Sequence, residues 1–248
     1  MAPSRFLSRK AARMPRSYIG RLERTSIRPE DNGAVSGHEV FIVTRHDDGS
    51  RTLTSHGEID DNGSVVRDVI TTVDRDWYPM DASVRITVGG KFTGSAWFRF
   101  ADGYAECESF TANEGRVRQR MATDGRLKGF GTHSLANDAW WTGLYDLAKG
   151  PGVLEIPYAL LSSADHRGAT GPSLFHMGGR FIYVGPDRTT TRAGTFDSLH
   201  FQFAGSRQPG GYPPYNLWVT NDGNFTMLIG RVEGHIQRQF ELVSLADL

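Results

Sequence analysis

Turn-forming residues recur through the first half of the chain at intervals that suit the strands of a meander. Asp47-Asp-Gly49, Asp60-Asp-Asn-Gly63, Gly89-Gly90, Ala101-Asp-Gly103 and Asn113-Glu-Gly115 each follow a run of β-forming residues. Asp-Gly, Asn-Gly and Gly-Gly supply the positive φ angles that tight hairpins need. The runs between them, 38–45, 51–59, 65–74, 82–88, 91–100 and 104–112, therefore predict six or seven antiparallel strands. Alternation assigns their faces: Val84, Ile86 and Val88 share one side, as do Ala96, Phe98 and Phe100, opposite Trp97 and Arg99. Cys107 falls on an inward position and reads as a small core residue. Half-apolar strands of this kind build a curved sheet with one covered face, not a parallel α/β core.

The pattern changes after Phe130. Leu135, Ala139, Leu144 and Leu147 have helical spacing, with Ser134 or Asn137 as N-cap and Gly150-Pro151 as a stop, so the spacing predicts a helix over 135–149. Val153–Leu161 reads as a strand or as a helix broken near Pro157, and 162–172 as a polar loop. Strands resume at 179–184, 197–203, 217–220, 225–232 and 235–243. The expected fold class is all-β: a highly curved antiparallel sheet or open barrel with one short helix across or inside its mouth. A single β domain over 17–248 would carry a helical excursion at 129–178. Residues 1–16 read as a flexible basic extension, and 17–36 as a connector or short first strand.

Tyr183-Val-Gly, Arg192-Ala-Gly-Thr-Phe-Asp197, Leu217-Trp-Val-Thr and Arg238-Gln-Phe-Glu-Leu-Val243 resemble the closing third of several uncharacterised bacterial β families. Gly63 through Asp74-Arg-Asp-Trp77 is similar to a glycolipid-binding family with a Tyr-x-Val-x-Val-Asp-x-x-Trp strand. The resemblance implies a lipoprotein-carrier-like curved sheet around an apolar cavity. It bears on architecture, since one fold hosts many functions.

Charge and cysteine content narrow the function classes. Lys+Arg and Asp+Glu both number 28, which argues against a general nucleic-acid binder, because such affinity comes from neutralising phosphates. A lone Cys107 permits no intrachain disulfide and no thiolate metal cage, which suits a reducing cytoplasm. No apolar run reaches the length of about 18 residues that a transmembrane helix needs. The basic stretch from Arg5 to Arg24 lacks the apolar core of a secretory signal and reads as a transit-like segment, a phosphate-binding arm or a solvated extension.

Motifs exclude further chemistry. The eight histidines show no His-x-His or His-Glu-x-x-His spacing, so no metal is expected. The glycine-rich pieces are not phosphate cradles, so no nucleotide cofactor is expected either. No Gly-x-Ser-x-Gly elbow exists.

General acid/base chemistry remains, and it concentrates in Gly129–Tyr145. There His133, Asn137, Asp138, Trp140 and Trp141 stand within nine residues. The sequence-based expectation is a cofactor-independent lyase, hydratase or isomerase acting on a small apolar or aromatic molecule. His133 would be the principal base or acid, with Asp138 or His200 as partner; Tyr78, Asn137, Trp140, Trp141 and Tyr215 would bind the substrate. The bland alternatives are that Asp138 caps the helix, His133 bonds a backbone carbonyl and His200 lies on a solvated face. The competing function is a non-catalytic lipid or isoprenoid carrier, whose cavity would be almost wholly apolar. Oligomeric state is open, with a homodimer among the options.

Overall fold

The predicted turns at 47–49, 89–90, 101–103 and 113–115 each close a hairpin of one sheet; Asp61 and Asn62 of the turn predicted at 60–63 lie outside the described residues. The computed structural model describes residues 16–60, 63–206 and 211–248. Apart from Arg16, the basic extension lies outside the described residues. In chain order the strands are β1 (Arg16–Ser26), β2 (Val35–Arg45), β3 (Arg51–Asp60), β4 (Ser64–Val73), β5 (Pro79–Val88), β6 (Lys91–Ala101), β7 (Tyr104–Thr111), β8 (Gly115–Ala122) and β9 (Phe130–Gly131). After α1 (Leu135–Trp140) come β10 (Gly152–Leu161), β11 (Phe175–Thr191), β12 (Gly194–Ala204), β13 (Tyr215–Thr220), β14 (Met227–Val232) and β15 (Arg238–Asp247). Gly103 and Gly115 take φ of 84° and 70° at two of the turns, a region a Cβ would strain.

Among the described residues all fifteen strands belong to one sheet, ordered β8-β7-β6-β5-β4-β3-β2-β1-β15-β14-β13-β12-β11-β10-β9. Every pairing is antiparallel except β9 with β10. The stretch 17–36 is thus more than a connector: β1 pairs with both β2 and β15 and joins the two halves. Its inward positions are Tyr18, Gly20, Leu22, Arg24 and Ser26, so its apolar alternation is diluted. The Phe41 ring occupies the place a Gly20 Cβ would take.

The sheet does not close, because β8 and β9 are its two edges. Side chains bridge them instead. Tyr158 Oη on β10 donates to the Ala122 carbonyl on β8 at 3.1 Å. Gln119 Oε1 on β8 accepts from Leu174 N at 2.6 Å. Phe130 lies 4.7 Å from both Phe98 and Phe100 on β6, ring centre to ring centre. The strand edges are therefore covered without a continuous ladder, one way of managing unpaired backbone.

The excursion fills the interior. Trp77 meets Trp140 edge-on at 5.8 Å and Phe225 at 5.1 Å, while Trp141 packs 6.1 Å from Phe181 and 6.5 Å from Phe203. The helix is shorter than the 135–149 the spacing predicts. It ends at Trp140 and tightens into 3-10 turns over Trp141–Leu144 and Leu147–Lys149. Gly143 explains the change, because Trp77 lies against its backbone and a Cβ there would stand 2.4 Å from Trp77 Cδ2. Residues 153–161 form a strand, with Pro157 in a bulge between Ile156 and Ala159. Cys107 is a buried core residue. Among the described residues no helix is long and apolar enough to cross a membrane.

Trp77 is wedged between two rings and cannot swing away, so Gly143→Ala overpacks the interior. We expect it to lower unfolding free energy by about 1–3 kcal/mol. The readout is the urea midpoint followed by tryptophan fluorescence; an unchanged midpoint would mean that Trp77 yields at no cost.

Candidate functional site

The start of α1 is held by a carboxylate on the sheet. Ser134 is the N-cap and its Oγ accepts from Asn137 N at 3.4 Å. The same hydroxyl donates to Glu39 Oε1 at 2.9 Å. Leu135 N donates to Glu39 Oε2 at 2.8 Å, and Ala136 N to Oε1 at 2.9 Å. Three donors satisfy a side chain that is only 2% exposed. Burial pushes the Glu39 carboxyl up, and the three donors and Arg67 pull it back down. With acceptor positions facing donors on both oxygens, Glu39 serves as an anion.

Register places the next residue. Glu39 on β2 sits opposite Gly57 on β3, and Gly57 opposite Arg67 on β4. Gly57 leaves the carboxylate room: a Cβ there would lie 3.4 Å from Glu39 Oε2. Arg67, 4% exposed, donates through one terminal nitrogen to the Arg167 carbonyl and through the other to the His133 carbonyl. Its Nε has no hydrogen-bond partner. Burial pulls the guanidinium down to about 10, so it stays charged at neutral pH.

His133 is fixed at three points. Its φ is 60°, in the left-handed region that few residues other than glycine occupy. Its carbonyl accepts from Arg67, and its Nε2 lies 3.2 Å from the Ser163 carbonyl, so Nε2 is the donor. Burial and the nearby Arg67 hold its pKa down to about 4, which keeps the ring neutral near pH 7. Asn137 is equally occupied: its Oδ1 accepts from Thr132 N at 3.2 Å and Thr132 Oγ1 at 3.0 Å.

Asp138 stands apart. Among the described residues no hydrogen bond reaches its carboxyl. It lines a cavity of about 80 Å³ with Trp141, Phe203 and Tyr215, and a second of about 60 Å³ with Arg24, Arg67 and Leu135. His133, His166 and Tyr212 line both. Burial, and then the neighbouring Glu39, push the Asp138 carboxyl up to about 8, against the pull of Arg67. Burial also raises the Tyr212 phenol, with Asp138 adding to the effect. His166 is an exposed imidazole lowered by partial burial. Such a set can give and accept protons near neutrality.

Of the residues singled out from sequence, the fold brings His133, Asp138, Trp141 and Tyr215 to these cavities. Trp140 belongs to the core behind them, and Asn137 holds the helix start. Tyr78 lies at the sheet rim, with the Arg126 guanidinium 4.1 Å over its ring. His200 is on the opposite face, stacked 4.2 Å from Trp218 with its Nε2 3.0 Å from Asn216 Oδ1. Its alternation with Leu199 and Phe201, which are buried, turns it away from the interior. Glu39 was the residue the sequence left unmarked for this site, whereas Arg67 reads from sequence as a further charged group near Trp77 or as an ordinary cross-strand partner. The available signal was phase: Glu39 alternates with Phe41 and Val43, and Arg67 with Val65 and Val69, all inward. Among the described residues no cluster of three or more His, Cys, Asp or Glu side chains could hold a metal ion.

No family model matches the chain, and no curated protein matches it. Solved structures do. A β-barrel-like protein of domain of unknown function DUF1849 from Brucella abortus aligns over 94% of this chain and 98% of its own, at 11% identity and a TM-score of 0.59. A DUF1089 family protein from Pseudomonas aeruginosa aligns over 80% of this chain and 90% of its own, at 14% identity and a TM-score of 0.42. The first supports the β-barrel-like fold and carries nothing about activity.

The site makes stability depend on pH in two opposed ways. Folded Asp138 keeps its proton to about 8, whereas an unfolded aspartate loses it near 3.8. Between those values the folded state holds more protons, so stability falls as pH rises and levels off above 8. His133 runs oppositely: the unfolded ring takes its proton near 6.5 and the folded ring near 4, so stability is lost as pH falls through that window. We expect Asp138→Asn to gain stability over the parent chain progressively from about pH 4 to about pH 8. Urea midpoints across pH measure it, and a pH-independent difference would contradict the placement of Asp138.

Proposed function

We propose that this protein is a cofactor-independent acid/base enzyme, a lyase, hydratase or isomerase, in which Asp138 moves the proton. The observation that carries the reading is a carboxyl facing two cavities, with no hydrogen bond among the described residues and with its pKa pushed up to about 8. A carboxylic acid kept neutral at pH 7 can donate to an oxygen on which negative charge develops, and can return as a base once it has done so. Tyr212, beside it, supplies a second O–H donor. His166, neutral at that pH, stands at the same cavities as the complementary base.

His133 acts as a positioning residue here, since its ring and its carbonyl are both engaged. Trp141, Leu161, Phe181 and Phe203 offer apolar walls that support an apolar or aromatic body for the substrate. A volume of about 80 Å³ is that of two or three liquid waters at ~30 Å³ each, so only a compact group enters. That size, and the titratable groups in the lining, weigh against a lipid or isoprenoid carrier. The buried, unpaired Cys107 supports a reducing, cytoplasmic setting.

The test is solvent-deuterium incorporation and turnover across a panel of small ketones, enones and hydroxy acids, without added cofactor. On any substrate that turns over, Asp138→Asn should lower kcat by about 100-fold or more. The rate should fall as pH passes above about 8, where the acid is lost. His200→Ala, on the far face, should leave turnover unchanged. Parent-like rates in both Asp138→Asn and Asp138→Ala would sink the proposal, as would a co-purified long-chain lipid in a chain inert to the whole panel.

A further inference from the structure

The two cavities that share Asp138 differ in character. The one of about 80 Å³ is walled by Trp141, Leu161, Phe181, Phe203 and Leu217, all buried and apolar. Such walls offer water no partners and suit a carbon skeleton. The one of about 60 Å³ is lined by His38, Glu39, the Gly57 backbone and Glu58. At ~30 Å³ per liquid water its volume is that of about two water molecules. Glu58 is exposed and His38 half-buried, so this cavity has a way to solvent.

The groups common to both cavities are a second, independent observation. Asp138, His166 and Tyr212 line each of them, and among the described residues no hydrogen bond reaches the Asp138 carboxyl, the His166 ring or the Tyr212 hydroxyl. A buried water makes about three hydrogen bonds, typically to polar groups that are otherwise without partners. Here a carboxylic acid and a phenol can donate, and a neutral imidazole can accept. Groups that move protons thus stand where a polar cavity meets an apolar one, which is what adding water to carbon requires.

We propose that the reaction is the reversible hydration of a small α,β-unsaturated carbonyl compound, whose carbon skeleton enters the apolar cavity while the polar cavity supplies the water. The inference rests on the acid/base reading for Asp138 and narrows it to one reaction. In the forward direction a lone pair of the water oxygen forms the bond to the β carbon, and His166 takes a proton from that oxygen. The C=C π pair moves to join the α carbon to the carbonyl carbon. The carbonyl π pair moves onto oxygen, which takes the Asp138 proton and a hydrogen bond from Tyr212. The enol then returns its O–H proton to Asp138, and its π pair takes the proton of His166 at the α carbon. One water is added, nothing is oxidised or reduced, and both groups are restored.

The test incubates the full chain in oxygen-18 water with ethylideneacetone and crotonamide, and follows their β-hydroxy adducts in reverse. Carbonyl oxygens exchange with water unaided, so only label on the β carbon counts. It should appear at least about 100-fold faster than in buffer alone. In parallel, acetone in deuterium oxide reads exchange at the α carbon, which needs an acid and a base but no water in the polar cavity. Gly57 supplies the variant: a Cβ there would make ordinary contact with Glu39 Oε2 at 3.4 Å and would enter the polar cavity. Gly57→Val should lower hydration at least about tenfold more than it lowers exchange, with Gly57→Ala used should the first not fold. Exchange without hydration, or hydration that falls no further than exchange in the folded variant, overturns this inference and leaves the acid/base reading standing. Hydration that is parent-like in Asp138→Asn but lost in Gly57→Val would overturn the role of Asp138 and keep the water site. Neither hydration nor exchange by the parent chain would overturn both.

Discussion

The carboxylate of Glu39, reaching from β2 to the first turn of α1, is the contact on which the interior depends. A six-residue helix has no stability of its own, because nucleation consumes the gain from so few bonds. This one exists because two of its otherwise orphaned backbone N–H groups, and the hydroxyl of its N-cap, meet an acceptor fixed to the sheet. The sheet in turn fixes that acceptor by register, in the inward row Leu22, Glu39, Gly57, Arg67. A slip of one residue in β2 would carry Glu39 to the outer face and strand the helix start. Strand register and site geometry are therefore one constraint, met at one residue.

Around that contact the interior divides by polarity. Toward Trp77, Trp140 and Phe225 it is filled by edge-on rings, and the Gly143 backbone is pressed against them without room for a methyl. Toward Arg24, Arg67 and Asp138 it is hollow and charged. An open sheet makes the division workable. Its edges are bridged by Gln119 and Tyr158 in place of a closed ladder, so the loop after β10 can reach inward and meet Arg67 through the Arg167 carbonyl.

The strands were legible where glycine turns frame clean alternation, as in β5 to β7. They were obscure where the inner face mixes residue types. In β1 that face reads Tyr18, Gly20, Leu22, Arg24, Ser26, and in β8 the alternation is carried by Arg116, Arg118 and Arg120 facing out. Helical spacing overran α1 because periodicity does not register a ring packed on Gly143. For the site, local density marked Gly129–Tyr145, and it is from there that His133, Asp138 and Trp141 reach the cavities. Direction was not legible. The positive φ of His133 and the outward turn of His200 follow from contacts with Arg67 and from the packing of Leu199 and Phe201, all distant in sequence.

The division of labour between His133 and Asp138 follows from what each is bonded to. An imidazole with its Nε2 on a carbonyl and a guanidinium nearby has reason to stay neutral and still. A carboxyl that no donor among the described residues reaches, with the Glu39 anion close by, has reason to keep its proton. Glu39 thus has two effects from one position: its hydrogen bonds order the helix that carries Asp138, and its charge raises the pKa of the acid so delivered. Arg67 opposes that rise, and burial outweighs it.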